Sequence, residues 1–280
     1  MQAPLFIVWR ESFEALLIIG ILYSWMRREN YNTYLYLLWI GTGIGLFLSS
    51  ILAICFYFAG QWFSGPGGEW FAISMALVAA LLILQMVSWM HSHGKNMKKE
   101  LENTAQKYLQ KSDKYGIIIL TALAVAREGS ETIIFLAGVG AQQTDTSTST
   151  FVLGAVLGLI LALLTFWFLQ KFTNIFSWKW FFFVSEAALL LIGCGLFMTA
   201  CDKIAAQLSD YDLPEWAYDF IDMPLWDSSW LLSDSSTLTG LTGYHAMPSL
   251  LQLSVFITFW LCAFLLLRIH SNTKKIAVKK

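Results

Sequence analysis

Charge is what this sequence has least of. Only 13% of its 280 residues are Asp, Glu, Lys or Arg, against 57% hydrophobic, with 13 Trp and 21 Phe. That balance excludes an ordinary soluble domain and is the composition of a protein that lives in lipid. Cysteine is sparse too. Cys55, Cys194, Cys201 and Cys262 lie in apolar segments without a Cys-x-x-Cys pair, so we expect neither a disulfide nor a metal from them. No Gly-x-x-x-x-Gly-Lys-Ser/Thr loop occurs, which suits transport without ATP. No Glu-x-x-His pair occurs, which argues against a di-iron carboxylate enzyme. The first residues lack a basic n-region, and Arg10 and Glu11 interrupt what would be an h-region, so a cleaved signal peptide is not expected. The formal net charge is −1, and nucleic acid is not expected as a partner.

What the chain has instead is long apolar runs. Seven are long enough to cross a hydrocarbon layer of about 30 Å, near residues 4–26, 34–59, 70–92, 115–140, 151–170, 180–201 and 248–268. They predict an all-α polytopic membrane protein with seven transmembrane helices. The basic residues sort by side. Arg27 and Arg28 follow the first run, and Lys95, Lys98, Lys99, Lys107, Lys111 and Lys114 the third. Lys171 and Lys179 follow the fifth, and Arg268, Lys274, Lys275, Lys279 and Lys280 the seventh; only Lys203 stands on the other side. The positive-inside rule then places the N-terminus outside and the C-terminus inside.

The connecting segments differ in kind. Residues 93–114 predict a charged, amphipathic cytoplasmic helix, with His91 and His93 at its start read as a solvated helix end. Residues 202–247 form an acidic, aromatic-rich outer loop carrying Asp212, Glu215, Asp219, Asp222 and Asp227. Such a surface concentrates cations and is suited to capturing them, while Trp216, Trp226 and Trp230 suit headgroup depth, in part as short interfacial helices. Residues 269–280 make a basic cytoplasmic tail.

Against this background one charged pattern occurs twice inside apolar runs, as Arg10-Glu11-Ser12-Phe13-Glu14 and as Arg127-Glu128-Gly129-Ser130-Glu131. On a helix the arginine reaches the glutamate four residues on, and the two glutamates share a face. An ionised side chain at a helix centre costs about 2.5–3.5 kcal/mol, so six left unpaired would cost roughly 15–20 kcal/mol. Charges kept at such expense normally face inward and function.

The copies lie 117 residues apart, and two weaker echoes accompany them. Gly41-x-x-x-Gly45 recurs as Gly154-x-x-x-Gly158, 113 on, and Phe71-Ala-Ile-Ser74 as Phe182-Phe-Val-Ser185, 111 on. Three matches in one order divide the chain into repeats at 1–92 and 115–201, followed by an extra helix at 248–268. An odd number of spans inverts the second repeat, which is the plan of many secondary transporters with a midplane site between repeats. A pseudo-two-fold axis then brings the charged clusters face to face.

Four carboxylates, Glu11, Glu14, Glu128 and Glu131, make an all-oxygen site suited to a hard cation rather than zinc or copper(I). Arg10 and Arg127 neutralise and orient them, leaving a formal −2. Glu186, a further acid inside the sixth run, is expected to serve as a relay beside the path or to be held protonated by burial. A permease for another hard di- or trivalent cation, an intramembrane carboxylate-metal redox enzyme and a membrane sensor or scaffold remain the competing readings.

With these residues in view, the chain resembles the high-affinity, oxidase-dependent iron permease family. The resemblance covers nearly the whole chain. It rests on RESFE, on REGSETIIFLAG, on the Met-containing charged loop after the third run, and on Leu225-Trp226-Asp227 with Gly243-Tyr244 and Pro248-Ser249. It implies import of iron, in the ferric state, through the four motif glutamates. It also implies a periplasmic iron-binding or cupredoxin-like oxidase partner, no tightly bound organic cofactor, and the cytoplasmic membrane of a bacterium, since the chain lacks a long fungal-type tail. The sequence departs from the family's usual pattern at Ser12, commonly glycine, at Ser130, commonly leucine, and at Glu186, commonly small and neutral. The topology is directly testable. A reporter active only outside the membrane should be silent fused after Lys280 and active inserted near Thr146; the reverse pattern would remove the inverted repeat as well.

Overall fold

A computed structural model describes residues 2–63, 66–93, 97–110, 114–140, 148–171, 178–209, 214, 218, 220–221, 223–230 and 242–277. Its elements are α1 (Gln2–Arg28), a 3-10 turn (Asn32–Tyr34), α2 (Leu35–Trp62), α3 (Pro66–His93), α4 (Met97–Gln110), α5 (Lys114–Gly140), α6 (Thr148–Lys171), α7 (Trp178–Ser209) and α8 (Leu250–Ala277). Among the described residues the only β-structure is one isolated bridge.

Five stretches, 32–62, 67–91, 148–171, 183–209 and 250–269, are long and apolar enough to cross a membrane. Helices α1 and α5 have 27 residues each, about 40 Å at 1.5 Å per residue, but each carries the three charges of one motif. The packing is inverted relative to a soluble protein. Helix α2 buries Gly41, Thr42, Gly45 and Ser49 while exposing Trp39, Phe47, Ile51 and Phe58. Helix α6 buries Gly154, Gly158 and Ala162 and exposes Leu153, Leu157, Leu164 and Trp167. Small residues inward and bulky apolar ones outward is how helices pack when the solvent is lipid.

The chain forms two compact units. One holds α1, α2, α4, α6 and α5 as far as Leu136; the other holds α3, the end of α5, α7 and α8. In the first unit two helix pairs pack by equivalent atoms. A Cβ added at Gly45 of α2 would lie 2.8 Å from the Ala122 carbonyl oxygen and 2.7 Å from the Val125 Cβ of α5. One added at Gly158 of α6 would overlap the Leu5 carbonyl oxygen and lie 3.1 Å from the Val8 Cβ of α1. Ala122 and Val125 stand 117 residues after Leu5 and Val8, and Gly158 stands 113 after Gly45. Both pairs run parallel. Gly41 meets Ile118 and Thr121 one turn before Gly45, and Gly20 meets Phe166 further along both α1 and α6.

At one end of this unit α4 seals the bundle. Its buried Ala105 and Leu109 join Trp25, Met26, Leu37, Leu38 and Ile117 in one apolar cluster, while Lys98, Lys99 and Lys107 stay exposed. The expected amphipathic helix is therefore present. Helix α1 stops where Asn30 takes a left-handed conformation (φ 63°), which lets the Tyr31 N–H bond back to the Met26 carbonyl at 2.8 Å. Asn tolerates that conformation better than other non-glycine residues.

Element boundaries differ from the sequence expectation in three places. Helix α7 runs past 201 to Ser209, and α8 continues through 269–277 of the tail; neither extension contains a Pro or Gly to end it. The described part of the outer loop holds an extended ribbon besides any short helix. Pro224 bridges Ser249, Leu225 N–H donates to the Pro248 carbonyl at 2.9 Å, and Ser228 N–H to that of Ala246 at 2.8 Å. Ser249 and Gln252 then cap α8 reciprocally, Gln252 N–H to Ser249 Oγ at 3.3 Å and Ser249 N–H to Gln252 Oε1 at 3.1 Å.

The glycine contacts predict a contrast. Gly158→Ala should destabilise the protein by about 1–3 kcal/mol through overpacking against Leu5. Gly43→Ala, with nothing within 4 Å of the new methyl, should be neutral or slightly stabilising. Thermal unfolding of both variants in detergent reads the difference, and equal melting temperatures would contradict it.

Candidate metal centre

The six motif charges all lie in the first unit. In α1, Arg10 is fully buried, with Nη1 2.7 Å from Glu11 Oε1 and Nη2 2.6 Å from Glu14 Oε1. In α5, Arg127 Nε lies 2.9 Å from Glu131 Oε1. Spacing dictates these pairs, because side chains four apart stack on one helix face. The copies are unequal in exposure, however: the Arg10 side chain is 0% exposed and that of Arg127 40%.

Across the helices three carboxylates converge. Glu11, Glu128 and Glu131 each offer an oxygen, and these lie within 4.8 Å of one another. Glu11 and Glu128 are 0% and 4% exposed. Glu11 Oε2, Glu128 Oε2 and Glu131 Oε2 are all buried and accept no hydrogen bond from the described residues. A buried acceptor left without a donor is costly, and three on converging carboxylates are more so. An oxygen-seeking cation is the species that would satisfy them together. Of the four expected glutamates, the structure thus groups three, while Glu14 is engaged by Arg10.

The hydroxyls around the second motif serve the backbone. Ser130 Oγ donates to the Arg127 carbonyl at 2.7 Å, and Thr132 Oγ1 to that of Glu128 at 2.8 Å. Ser130 therefore turns back on its own helix. Gly129 meets α2: a Cβ there would overlap the Ser49 hydroxyl. Ser49 was not singled out from the sequence, since a lone serine in an apolar run carries no chemical signal.

The other expected residues lie elsewhere. Glu186 is in the second unit, with Oε2 3.7 Å from His91 Nδ1, so its observed partner is the histidine taken as a plain helix end. The side chain of His93 lies outside the described residues, as do Asp212, Glu215, Asp219 and Asp222. Asp227 is described and exposed. The Ser229 N–H and hydroxyl donate to its Oδ1 at 2.9 and 2.6 Å and hold its carboxyl below the usual range. Asp202, another acid of the outer segment, ties the ribbon down. Its Oδ2 lies 3.3 Å from His245 Nε2, and its Oδ1 accepts from Gln252 Nε2 at 3.1 Å.

With that geometry established, the chain can be set beside known proteins. The profile of the iron permease FTR1 family matches residues 1–272. The ferrous iron permease EfeU of Yersinia pestis is 28% identical over 272 residues, covering 95% of this chain and 93% of its own. The ferrous iron permease EfeU of Escherichia coli O157:H7 is 27% identical over 277 residues, covering 92% of each chain. No solved structure matches the chain.

The two arginines should respond differently to removal. Arg10→Ala strands two carboxylates around a fully buried position and should destabilise by about 3–5 kcal/mol, the usual result of breaking a buried pair. Arg127→Ala removes a half-exposed partner and should destabilise less. Comparing the yield of folded protein and the melting temperature in detergent checks the order; a less stable Arg127→Ala variant would reverse it.

Proposed function

The chain belongs to the iron permease FTR1 family, a multi-pass membrane transporter of iron, and from that premise we propose that iron crosses at Glu11, Glu128 and Glu131. The observation that carries this reading is the convergence of three carboxylates among apolar helices, each with one buried oxygen that has no donor among the described residues. Arg10 and Arg127 hold the site together when no ion is present. Glu14, held by Arg10, is the fourth carboxylate and becomes available if that ion pair loosens.

The substrate in this reading is ferrous. With all four glutamates ionised, as an ion-loaded site requires, four glutamates and two arginines sum to −2, so one divalent ion makes the buried cluster neutral, whereas a trivalent ion leaves an excess charge in a medium that penalises it. The resemblance alone implied ferric iron; the charge count and the ferrous permeases EfeU among its relatives favour the lower state. A divalent ion then needs no oxidase at the outer face. An interior-negative potential contributes about 2.3 kcal/mol per charge per 100 mV, about 4.6 kcal/mol for two charges, enough for a gradient of about 10³.

The architecture we infer is seven spans with an inverted three-plus-three repeat and an extra C-terminal helix, in the cytoplasmic membrane of a bacterium, the N-terminus outside. Support comes from the equivalent contacts of Gly45 with Ala122 and Val125 and of Gly158 with Leu5 and Val8. Parallel packing of α1 with α6 and of α2 with α5 also agrees with alternating spans if α4 stays out of the membrane.

Uptake of radioactive iron into proteoliposomes under an inside-negative potential tests the reading. Ferrous iron kept reduced should enter faster than ferric citrate, and excess Mn(II) or Mg(II) reveals whether another hard cation is preferred. Glu11→Gln, Glu128→Gln and Glu131→Gln should each lower uptake at least about tenfold, a loss of 1.4 kcal/mol or more. A double change such as Glu128→Gln with Glu131→Gln should be little worse than the poorer single, because ligands of one site fail together. Normal uptake by a correctly inserted Glu128→Gln protein would sink the shared site.

A further inference from the structure

We propose that Ser49 is a positioning residue for the ion site, because its contact with Gly129 sets where α2 holds α5, and hence where Glu128 and Glu131 meet Glu11. The inference rests on reading those glutamates as the iron site. Gly129 lies between Glu128 and Ser130, inside the motif itself. A Cβ there would overlap Ser49 Oγ and lie 2.6 Å from Ser49 Cβ, so the two helices touch at the very turn that carries the ligands. Ser49 is 8% exposed, and its hydroxyl donates to the Gly45 carbonyl at 3.0 Å, which fixes its rotamer against its own helix. It has nowhere to retreat.

The contact is the third rung of a ladder. At the first rung Gly41 receives Ile118 and Thr121, and at the second Gly45 receives Ala122 and Val125. In both, the glycine is on α2 and the bulk on α5. At the third the roles reverse, with the side chain on α2 and the glycine on α5. A side chain at 129 would push α5 away at Glu128 and Glu131, and a site whose oxygens must group within 4.8 Å does not survive a displacement of about 1 Å.

The first motif solves the same problem the other way round. Gly158 meets Leu5 and Val8 as Gly45 meets Ala122 and Val125. Carrying that register one turn further puts Ser12 opposite Ala162, which is 0% exposed. Each copy therefore places one hydroxyl residue and one smaller residue at the third rung: on the motif helix and its neighbour respectively in the first copy, exchanged in the second. Serine at position 12 is tolerated on this account because its opposite number is alanine. Glycine at 129 is required because its opposite number is serine.

The test is a set of exchanges in the full chain: Gly129→Ala, Ser49→Gly, both together, and Glu128→Gln as reference. Two quantities are read, the KM for ferrous uptake into proteoliposomes and ferrous binding to the purified protein by anaerobic equilibrium dialysis. Gly129→Ala should raise KM and weaken binding by about ten- to hundredfold, with unchanged amounts in the membrane. Ser49→Gly alone, which removes the contact, should raise KM by about three- to tenfold, and the double variant should recover from the Gly129→Ala level to about the same value; a natural KM in Ser49→Gly would also overturn the proposal. Should Gly129→Ala fail to insert, Ser49→Thr, which enlarges the same contact from α2, should raise KM in the same direction. Natural KM and binding in Gly129→Ala, a double variant no better than Gly129→Ala, or an unchanged KM in Ser49→Thr would each overturn the proposal. If Glu128→Gln itself transports normally, the site reading fails; if Glu128→Gln is inactive while Gly129→Ala behaves naturally, only the role of Ser49 does.

Discussion

Six charges set into apolar helices must be satisfied mostly without water, and the packing around them in the first unit is organised by how that is done. Arg10 takes Glu11 and Glu14 on its own helix, and Arg127 takes Glu131 on its own. What the helices cannot satisfy by themselves is the outward side of Glu11, Glu128 and Glu131, whose buried Oε2 atoms lack a donor among the described residues. That deficit is what marks the proposed site. Replacing both arginines with apolar residues would raise the negative charge, and replacing the glutamates would strand the arginines, so the cluster is stable only as a set.

Holding two charged helices close enough for their carboxylates to group requires their neighbours to come closer than ordinary side chains allow. Glycines at 41, 45 and 158 supply that approach, and in lipid close packing of small residues is the main attraction between helices, since bulky apolar groups gain nothing by leaving the lipid. The outward faces of α2 and α6 accordingly carry the tryptophans, phenylalanines and leucines. Under the inverted-repeat reading, equivalent positions need not be in equivalent states. Arg10 is 0% exposed and Arg127 40%.

The second unit has its own polar pairs. His91 answers Glu186, which gives the extra acid of the sixth run a partner on α3, and Asp202 joins His245 and Gln252. Through Asp202 the outer ribbon is tied to α7, and Gly243 with φ +70° lets the chain pass against Met198, where a Cβ would lie 2.8 Å from the sulfur. The Leu225-Trp226-Asp227 and Gly243-Tyr244 signatures are the two sides of this ribbon, a role that neither suggests in isolation.

Taken alone, the sequence determined whatever depends on local spacing and composition. Long apolar runs required a membrane, the four-residue spacing of Arg10 with Glu14 and of Arg127 with Glu131 required intrahelical pairs, and the doubled motif and glycine pairs pointed to repetition. Helix ends were less legible, as α7 and α8 show, because without a breaker a helix continues until tertiary contacts or caps stop it. Tertiary structure alone decided that Glu11, Glu128 and Glu131 group while Glu14 stays with Arg10, that Ser49 rests on Gly129, and that His91 meets Glu186. These depend on register between segments dozens of residues apart. A shift of one residue along a helix turns a side chain by about 100°, and no spacing within one segment encodes how another is set against it.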